Sequence, residues 1–171
     1  TGATAMAGLV IGFHVPMGKA FAQEAAPAAL PDANAFLRIA PDDTVTILLA
    51  HSEMGQGVWT TLPILVAEEL GLDWTRVRVE HAPAAPAYFN TAFGIQGTGG
   101  STSTWSEFDR YRQAGALARE LLVRAAAEQW GVAASQCRAE NGAIVAGDRR
   151  ASFGALAEKA RSLPAPASVK T

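Results

Sequence analysis

The stretch His51-Ser52-Glu53-Met54-Gly55-Gln56-Gly57 decides how the rest of this chain is interpreted. It follows a strand-like run at residues 44–50 and leads into a helix-like run at residues 58–70. Its two glycines flank one glutamine, and glycine lets the backbone approach a ligand closely because it has no Cβ. A helix that begins there directs free N–H groups toward the gap. The stretch predicts a site for an anionic, oxygen-rich cofactor, although an ordinary strand-to-helix turn has the same spacing.

The composition is that of a globular domain or of one piece of a larger protein. The chain has 171 residues, of which 49% are hydrophobic and 18% charged, and its formal net charge is −2. Without a basic surplus, nucleic acid is not a predicted partner. Cys137 is the only cysteine, so an internal disulfide and a cysteine-based zinc or iron–sulfur site are excluded. We expect Cys137 to be a small buried apolar residue.

The N-terminal segment has the pattern of an export signal. Residues 1–15 are mostly Ala, Gly and aliphatic, and residues 20–23 read Ala-Phe-Ala-Gln, a small-x-small cleavage pattern. The apolar part is shorter than the about 20 residues of a membrane span. We therefore predict an export signal or retained anchor at residues 1–23, with a helix of the folded core as the alternative. The predicted location is periplasmic and membrane-associated.

The sequence after this segment predicts a tether followed by a folded subdomain. Residues 24–34 form an Ala/Pro linker, and the folded part is expected over residues 35–163. Residues 36–40 and 44–50 predict a hairpin, and residues 76–81 a third strand after the helix that Gly71 ends. Because Pro63 is tolerated best near a first turn, regular helix is expected from about Thr60 or Thr61. Strand, helix and strand predict a crossover unit in a mixed sheet.

A second glycine-rich stretch follows an irregular loop at residues 81–95. Residues 96–104 contain three glycines and five hydroxyl side chains, and a long helix is predicted over residues 105–130. Phe108, Gly115, Leu122 and Ala126 are expected on one face of it. N–H groups and hydroxyls at a helix start suit a phosphate or a pterin edge. A flexible loop with a Ser or Thr cap is the alternative, and we expect the two glycine-rich stretches to converge in space.

The C-terminal third is predicted to contain a hairpin and a short helix. Residues 137–140 and 143–146 flank Asn141-Gly142, which favours a type I′ turn. Ser152 is expected to cap a helix that ends near residue 160. Residues 164–171 read as a tail that continues into further sequence.

The histidines and carboxylates of the chain form no recognisable catalytic set. None of His14, His51 and His81 has a partner at metal-ligand spacing, and we expect His81 to be structural. The sequence likewise shows no recognisable Ser/His/Asp set, paired carboxylate site or phosphate-loop lysine. The residues alone therefore predict a cofactor holder rather than a complete active site.

Both glycine-rich stretches resemble a known enzyme family. Residues 53–60, with Val-Ala-Glu-Glu-Leu-Gly at residues 66–71, resemble the Met-Gly-Gln-Gly segment of molybdenum hydroxylases, the xanthine dehydrogenase and aldehyde oxidase family. Residues 98–104 are similar to the second pterin-binding loop of that family. Their position close behind an export segment resembles the large subunits of isoquinoline 1-oxidoreductase and of bacterial membrane-bound aldehyde dehydrogenases.

The resemblance implies a fold, a cofactor and a reaction. The implied fold class is α+β, with a mixed β-sheet and packed helices as part of a molybdopterin-binding domain. The implied cofactor is molybdopterin with molybdenum, as the cytosine dinucleotide, and the implied reaction is hydroxylation of an aldehyde or N-heterocycle carbon with oxygen from water. The implied partners are the remainder of the large subunit, a small subunit with [2Fe–2S] clusters and a membrane cytochrome with haem.

The resemblance also assigns cofactor-binding residues: Met54, Gly55, Gln56, Gly57, Thr98, Gly99, Gly100, Ser101, Thr102 and Ser103. It implies that Gln56 hydrogen-bonds near the molybdenum oxo group or the pterin edge, and that Gly55 and Gly57 offer backbone N–H groups. The catalytic base of the family, a glutamate near the far C-terminus, has no match here, and Glu53 is not given that role. The chain is thus expected to be an N-terminal fragment or one piece of a cleaved large subunit.

Two other functions are compatible with the residues alone. One is a non-enzymatic exported α/β module that binds a small anionic ligand at the same two loops. The other is a structural assembly domain whose apolar N-terminus docks a partner.

Overall fold

The computed structural model of the protein describes residues 9–12, 35–166 and 168–171. Within that part of the chain the helices and strands form two small sheets with three helices, which confirms the predicted α+β class. The strands are β1 Leu9–Gly12, β2 Ala35–Ile39, β3 Val45–Leu49, β4 Val77–His81, β5 Arg138–Glu140, β6 Ala143–Ala146 and β7 Arg149–Ser152. The helices are α1 Val58–Leu70, α2 Phe108–Trp130 and α3 Phe153–Arg161.

The first sheet is mixed, as predicted, and has the order β1-β2-β3-β4. β2 and β3 form an antiparallel hairpin in which Leu37 faces Ile47. Asp43 takes a positive φ of 68° in the connecting turn. β4 lies parallel to β3, with Val45 beside Val77, so α1 is the crossover that the strand–helix–strand pattern predicted.

Helix α1 is regular from Val58, two residues earlier than predicted, and it keeps Pro63 in its interior. The proline ring is buried, so packing against the core offsets the backbone hydrogen bond that proline cannot donate. Gly71 ends the helix in the left-handed conformation with φ 71°, as expected.

Helix α2 packs tightly against α1. A Cβ added at Gly115 would lie 2.7 Å from the carbonyl oxygen of Val66 and 2.9 Å from the Cβ of Glu69. The Glu69 carboxylate also bridges Arg112 and Arg119 of α2. Of the four residues expected on one face of α2, Gly115, Leu122 and Ala126 are buried. Phe108, the first residue of the helix, is instead 41% exposed, and the guanidinium of Arg112 lies over its ring.

The second sheet is antiparallel, with the order β5-β6-β7. Asn141 and Gly142 both have positive φ, 52° and 73°, which confirms the type I′ turn. β7 was not predicted, because its two arginines give no apolar alternation. Ser152 caps α3 by accepting a hydrogen bond from the N–H of Ala155. Cys137 is only partly buried, contrary to expectation, since it follows a surface 3-10 turn.

The predicted export segment lies mostly outside the described residues, and so does the 24–34 linker. The described part of the segment is β1, which pairs antiparallel with β2 and places Val10 beside Arg38. Among the described helices, none combines the length and the apolar character that a membrane crossing requires.

Candidate functional site

The first glycine-rich loop, residues 51–57, connects β3 to α1. Gly55 and Gly57 have φ values of 94° and 87°, which side chains other than glycine rarely adopt. The Glu53 carboxylate accepts hydrogen bonds from the N–H groups of Gly55 at 2.7 Å, Gly57 at 2.9 Å and Trp59 at 3.0 Å. The N–H groups of Gly55 and Gly57, expected to face a ligand, are thus used inside the loop. The bond from Trp59, followed by those from the glycines, lowers the pKa of Glu53.

The Gln56 side chain closes the same loop from the other direction. Its Oε1 accepts a hydrogen bond from the N–H of Met54 at 2.6 Å, and its Nε2 donates to the carbonyl oxygen of Ser52 at 2.7 Å. Both ends of the carboxamide therefore stabilise the loop in this conformation. The contact of Gln56 with a molybdenum oxo group or a pterin edge stays a prediction.

The second glycine-rich loop, residues 97–104, precedes α2 but does not open it. α2 begins at Phe108 rather than Trp105, after a series of turns. Gly100 and Ser101 both have positive φ, 60° and 56°. Thr102 is buried and supports the loop, because its hydroxyl accepts from Asn90 Nδ2 at 2.7 Å and donates to the carbonyl oxygen of Gly99 at 2.9 Å.

The second loop differs from the first in its free donors. The N–H groups of Gly99, Gly100 and Ser101 donate to no acceptor among the described residues. The hydroxyls of Ser101 and Ser103 likewise have no partner there. Consecutive N–H groups around positive-φ residues form a concave anion-binding surface. The predicted anion-binding chemistry is therefore concentrated at residues 99–103.

The two loops touch, as the sequence predicted. The N–H of Ser52 donates to the Thr98 hydroxyl oxygen at 2.8 Å. The Tyr111 hydroxyl of α2 accepts from the N–H of Ala50 at 3.0 Å and donates to the carbonyl oxygen of Leu48 at 2.9 Å. Burial raises the pKa of Tyr111, so its hydroxyl remains protonated and available as a donor. These bonds fix the end of β3 against both the second loop and α2.

A buried polar cluster that sequence reasoning missed lies beneath this contact. Glu107 is fully buried, and Arg110 Nη1 lies 3.0 and 2.8 Å from its two carboxylate oxygens. Arg110 also donates to the carbonyl oxygens of Phe89 and Ala87. The Glu-x-x-Arg spacing at the start of α2 was the available signal, because residues three apart share a helix face.

His51 belongs to the same cluster. Its ring is 1% exposed, and its Nε2 lies 3.5 Å from Glu107 Oε1. Neither ring nitrogen has a hydrogen-bond partner among the described residues. His81, by contrast, lies on the surface, where its ring meets that of Trp59 edge to face with 4.8 Å between centroids.

Exposed apolar side chains lie in and around the two loops. Met54 belongs to the first loop, and Phe93, Ile95 and Trp105 flank the second; their side chains are between 51% and 69% exposed. Across the described part of the chain, no group of three or more His, Cys, Asp or Glu side chains is arranged to hold a metal ion.

Comparison with characterised proteins identifies relatives for most of the chain. The family model of the molybdopterin cofactor-binding domain matches residues 3–171. The chain is 39% identical over 147 residues to the isoquinoline 1-oxidoreductase subunit beta of Brevundimonas diminuta, covering 83% of this chain and 19% of that protein. It is also 35% identical over 121 residues to the membrane-bound aldehyde dehydrogenase [pyrroloquinoline-quinone] of Gluconacetobacter polyoxogenes. That match covers 71% of this chain and 15% of the relative. The chain thus spans less than a fifth of either relative.

Solved structures share the fold over a similar part of the chain. Quinoline 2-oxidoreductase from Pseudomonas putida 86 matches with a TM-score of 0.53 at 20% identity, and CO dehydrogenase from Oligotropha carboxidovorans with 0.55 at 22%. Each match covers 71% of this chain and 15% of the other. With the family match over nearly its whole length, the chain belongs to the molybdopterin cofactor-binding domain family.

Proposed function

We propose that this chain binds a molybdenum–pterin cofactor as part of a molybdenum-dependent oxidoreductase. The proposed reaction is hydroxylation of an aldehyde or N-heterocycle carbon with oxygen from water. The observation that carries the proposal is the direct contact of the two loops through Ser52 and Thr98. A single ligand can touch both loops only if they lie side by side.

The residues present fit such a cofactor in shape. A Cβ added at Gly55, Gly57 or Gly99 would meet no atom within 4 Å. The backbone at these three positions therefore borders open space, which leaves room for a flat ring system against the main chain. The exposed apolar side chains of Met54 and Trp105 offer contacts for the faces of such a ring.

The hydrogen-bonding groups divide the proposed roles between the loops. The free N–H groups and hydroxyls of residues 99–103 suit the phosphates of the cofactor. The N–H groups of Gly55 and Gly57 are already bonded to Glu53, so the first loop suits the neutral pterin edge and the oxo group. Gln56 reaches them by exchanging one of its loop hydrogen bonds. When bound, the cofactor supplies the oxygen transfer and accepts the electrons of the reaction.

No catalytic base is assigned to this chain, and Glu53 is not a candidate because its carboxylate is committed to three N–H groups. The base is therefore proposed to come from the remainder of a large subunit. The proposed assembly also includes a small [2Fe–2S] subunit and a membrane cytochrome with haem, which would carry the electrons away. We further propose a cytosine dinucleotide form of the cofactor and a periplasmic, membrane-associated location. The name of the relative from Gluconacetobacter polyoxogenes, a membrane-bound aldehyde dehydrogenase, agrees with the proposed membrane association but says nothing of the periplasm.

Molybdenum and pterin analysis of the intact purified protein tests the proposal. We expect both in constant ratio to the protein. A molybdenum content near zero in an active preparation would reject the molybdenum assignment. An anionic ligand bound without molybdenum would support the alternative, a non-enzymatic module that uses the free donors of residues 99–103.

A further inference from the structure

Three consecutive residues that follow β3 contact the second loop, the N-cap residue Glu107 of α2, or α2 itself. We call these contacts the seam: Ala50 N to the Tyr111 hydroxyl, His51 Nε2 to Glu107 Oε1, and Ser52 N to the Thr98 hydroxyl. We propose that His51 and Glu107 are positioning residues, which set the separation of the two loops through the central contact of the seam. Their effect on cofactor binding rests on the proposed function, whereas their effect on the loops does not.

Glu107 has a fixed position on its side of the seam. Its carboxylate is fully buried and is paired at both oxygens with Arg110. Arg110 in turn is bonded to the carbonyl oxygens of Phe89 and Ala87 and lies over the Phe36 ring, 4.9 Å from its centroid. Glu107 lies in the chain between the second loop and α2. A side chain that contacts Glu107 is therefore held at a fixed distance from the second loop.

His51 is not accounted for by packing alone. A buried polar group without a hydrogen-bond partner costs free energy, and a leucine of similar volume would avoid that cost. The His51 Nε2 atom lies 3.5 Å from Glu107 Oε1, a distance slightly longer than an ordinary hydrogen bond. The other two contacts of the seam are hydrogen bonds of 3.0 and 2.8 Å. The central contact is thus the longest of the three, and it alone joins two side chains.

Hydrogen exchange of the intact purified protein tests this role directly. The variants are His51→Leu, which removes the ring nitrogens, and His51→Gln, whose amide can donate to Glu107. The control is His81→Leu, the same substitution on the neighbouring strand β4. His81 is paired with Leu49 across the parallel ladder, so it lies close to His51 in the sheet but outside the seam. The readouts are exchange in peptides covering residues 51–57 and 98–107, together with the thermal midpoint and the molybdenum content.

We expect His51→Leu to speed exchange in both peptides by about tenfold, which corresponds to about 1.4 kcal/mol, because the seam loses its central electrostatic contact. The thermal midpoint should stay the same or rise, because two unpaired nitrogens are removed. His51→Gln should restore slow exchange, and His81→Leu, which changes only a ring contact with Trp59, should leave exchange in residues 98–107 at the wild-type rate. If His51→Leu does not fold, His51→Met, which also lacks a donor, replaces it.

Unchanged exchange in residues 98–107 of the Leu or Met variant would overturn the inference, as would equally fast exchange in the Gln variant. Where the wild type contains molybdenum, we expect the Leu variant to contain less. If the wild type contains none but the exchange pattern is as expected, the proposed function fails and the positioning role stands.

Discussion

At the residue scale, the first loop depends on two side chains that the loop itself supplies. Glu53 accepts three backbone N–H groups, and Gln56 bonds one donor and one acceptor of the main chain. The sequence predicted where this loop lies and which residues compose it. It did not predict that their polar groups pair with each other, because that pairing depends on backbone angles at Gly55 and Gly57 that no spacing pattern specifies.

Glu53→Gln should change the acid sensitivity of the protein. Hydrogen bonds from Trp59 and Gly57 lower the pKa of Glu53 below its ordinary value of 4.5. A group with a lowered pKa stabilises the folded state above pH 4.5, and that contribution is lost as the pH falls through the folded-state pKa. We expect the thermal midpoint of the wild type to exceed that of the variant near neutral pH and the two to converge in acid.

The matched control is Glu158→Gln on the exposed surface of α3. Its midpoint should follow the wild type across the same pH range. A wild-type advantage over Glu53→Gln that stayed constant down to the acid transition would contradict the assigned role of the Glu53 carboxylate.

Gln56→Ala should loosen the first loop and reduce the retained cofactor. It removes two neutral hydrogen bonds, each worth about 0.5–1.5 kcal/mol, and the group proposed to face the oxo or pterin edge. Losing the proposed hydrogen bond of Gln56 to the oxo group or pterin edge should weaken cofactor binding by on the order of 1.5–3 kcal/mol. Molybdenum content and turnover of the purified protein measure it. Gln129→Ala, on the exposed side of α2, is the control and should change neither; unchanged cofactor content in Gln56→Ala would remove Gln56 from the site.

At the scale of elements, helix ends and turns were predictable and buried ion pairs were not. Gly71 and the Asn141-Gly142 turn are correctly placed because each needs a positive φ that few residues adopt. The start of α2 was misplaced by three residues, since nothing local distinguishes a helix from the turns before it. Glu107 and Arg110 were missed because surface and buried ion pairs have the same spacing.

Gly115→Ala should separate α1 from α2. The new Cβ would lie 2.7 Å from the Val66 carbonyl oxygen, a backbone atom that cannot move alone. Overpacking of this kind costs about 1–3 kcal/mol, which chemical denaturation measures as a lower midpoint with an unchanged slope. Gly97→Ala is the control, because its Cβ would meet only the Ile95 side chain at 3.8 Å. Equal stability of the two variants would show that the helices do not need this close approach.

At the scale of the whole molecule, the first sheet includes a strand from the predicted export segment. β1 covers the outer edge of β2, and an uncovered strand edge favours pairing between molecules. The family match also begins at residue 3, within that segment. The sequence predicted an apolar segment there, but an apolar run of this length fits a signal, an anchor or a strand equally well.

Removal of residues 1–22 should therefore destabilise the fold, because β2 loses its neighbour. We expect a lower thermal midpoint, by about 2–4 °C for each kcal/mol lost, and aggregation that depends on concentration. Removal of residues 1–8 alone keeps β1 and is the control. N-terminal sequencing of the mature protein gives the decisive check, since a start at Gln23 or Glu24 would mean that the native protein folds without β1.

The carboxylate of Glu53 has one more consequence, for the direction in which a long ligand lies. Because the Glu53 carboxylate is part of the same chain, it competes for the N–H groups of the first loop at a high effective concentration, on the order of millimolar or above. A phosphate group of a ligand therefore gains little by displacing it. A molecule with a neutral ring at one end and a charged tail at the other would therefore be sorted by polarity. Its tail would turn away from α1 toward residues 99–103, and only one of its two orientations would be accepted.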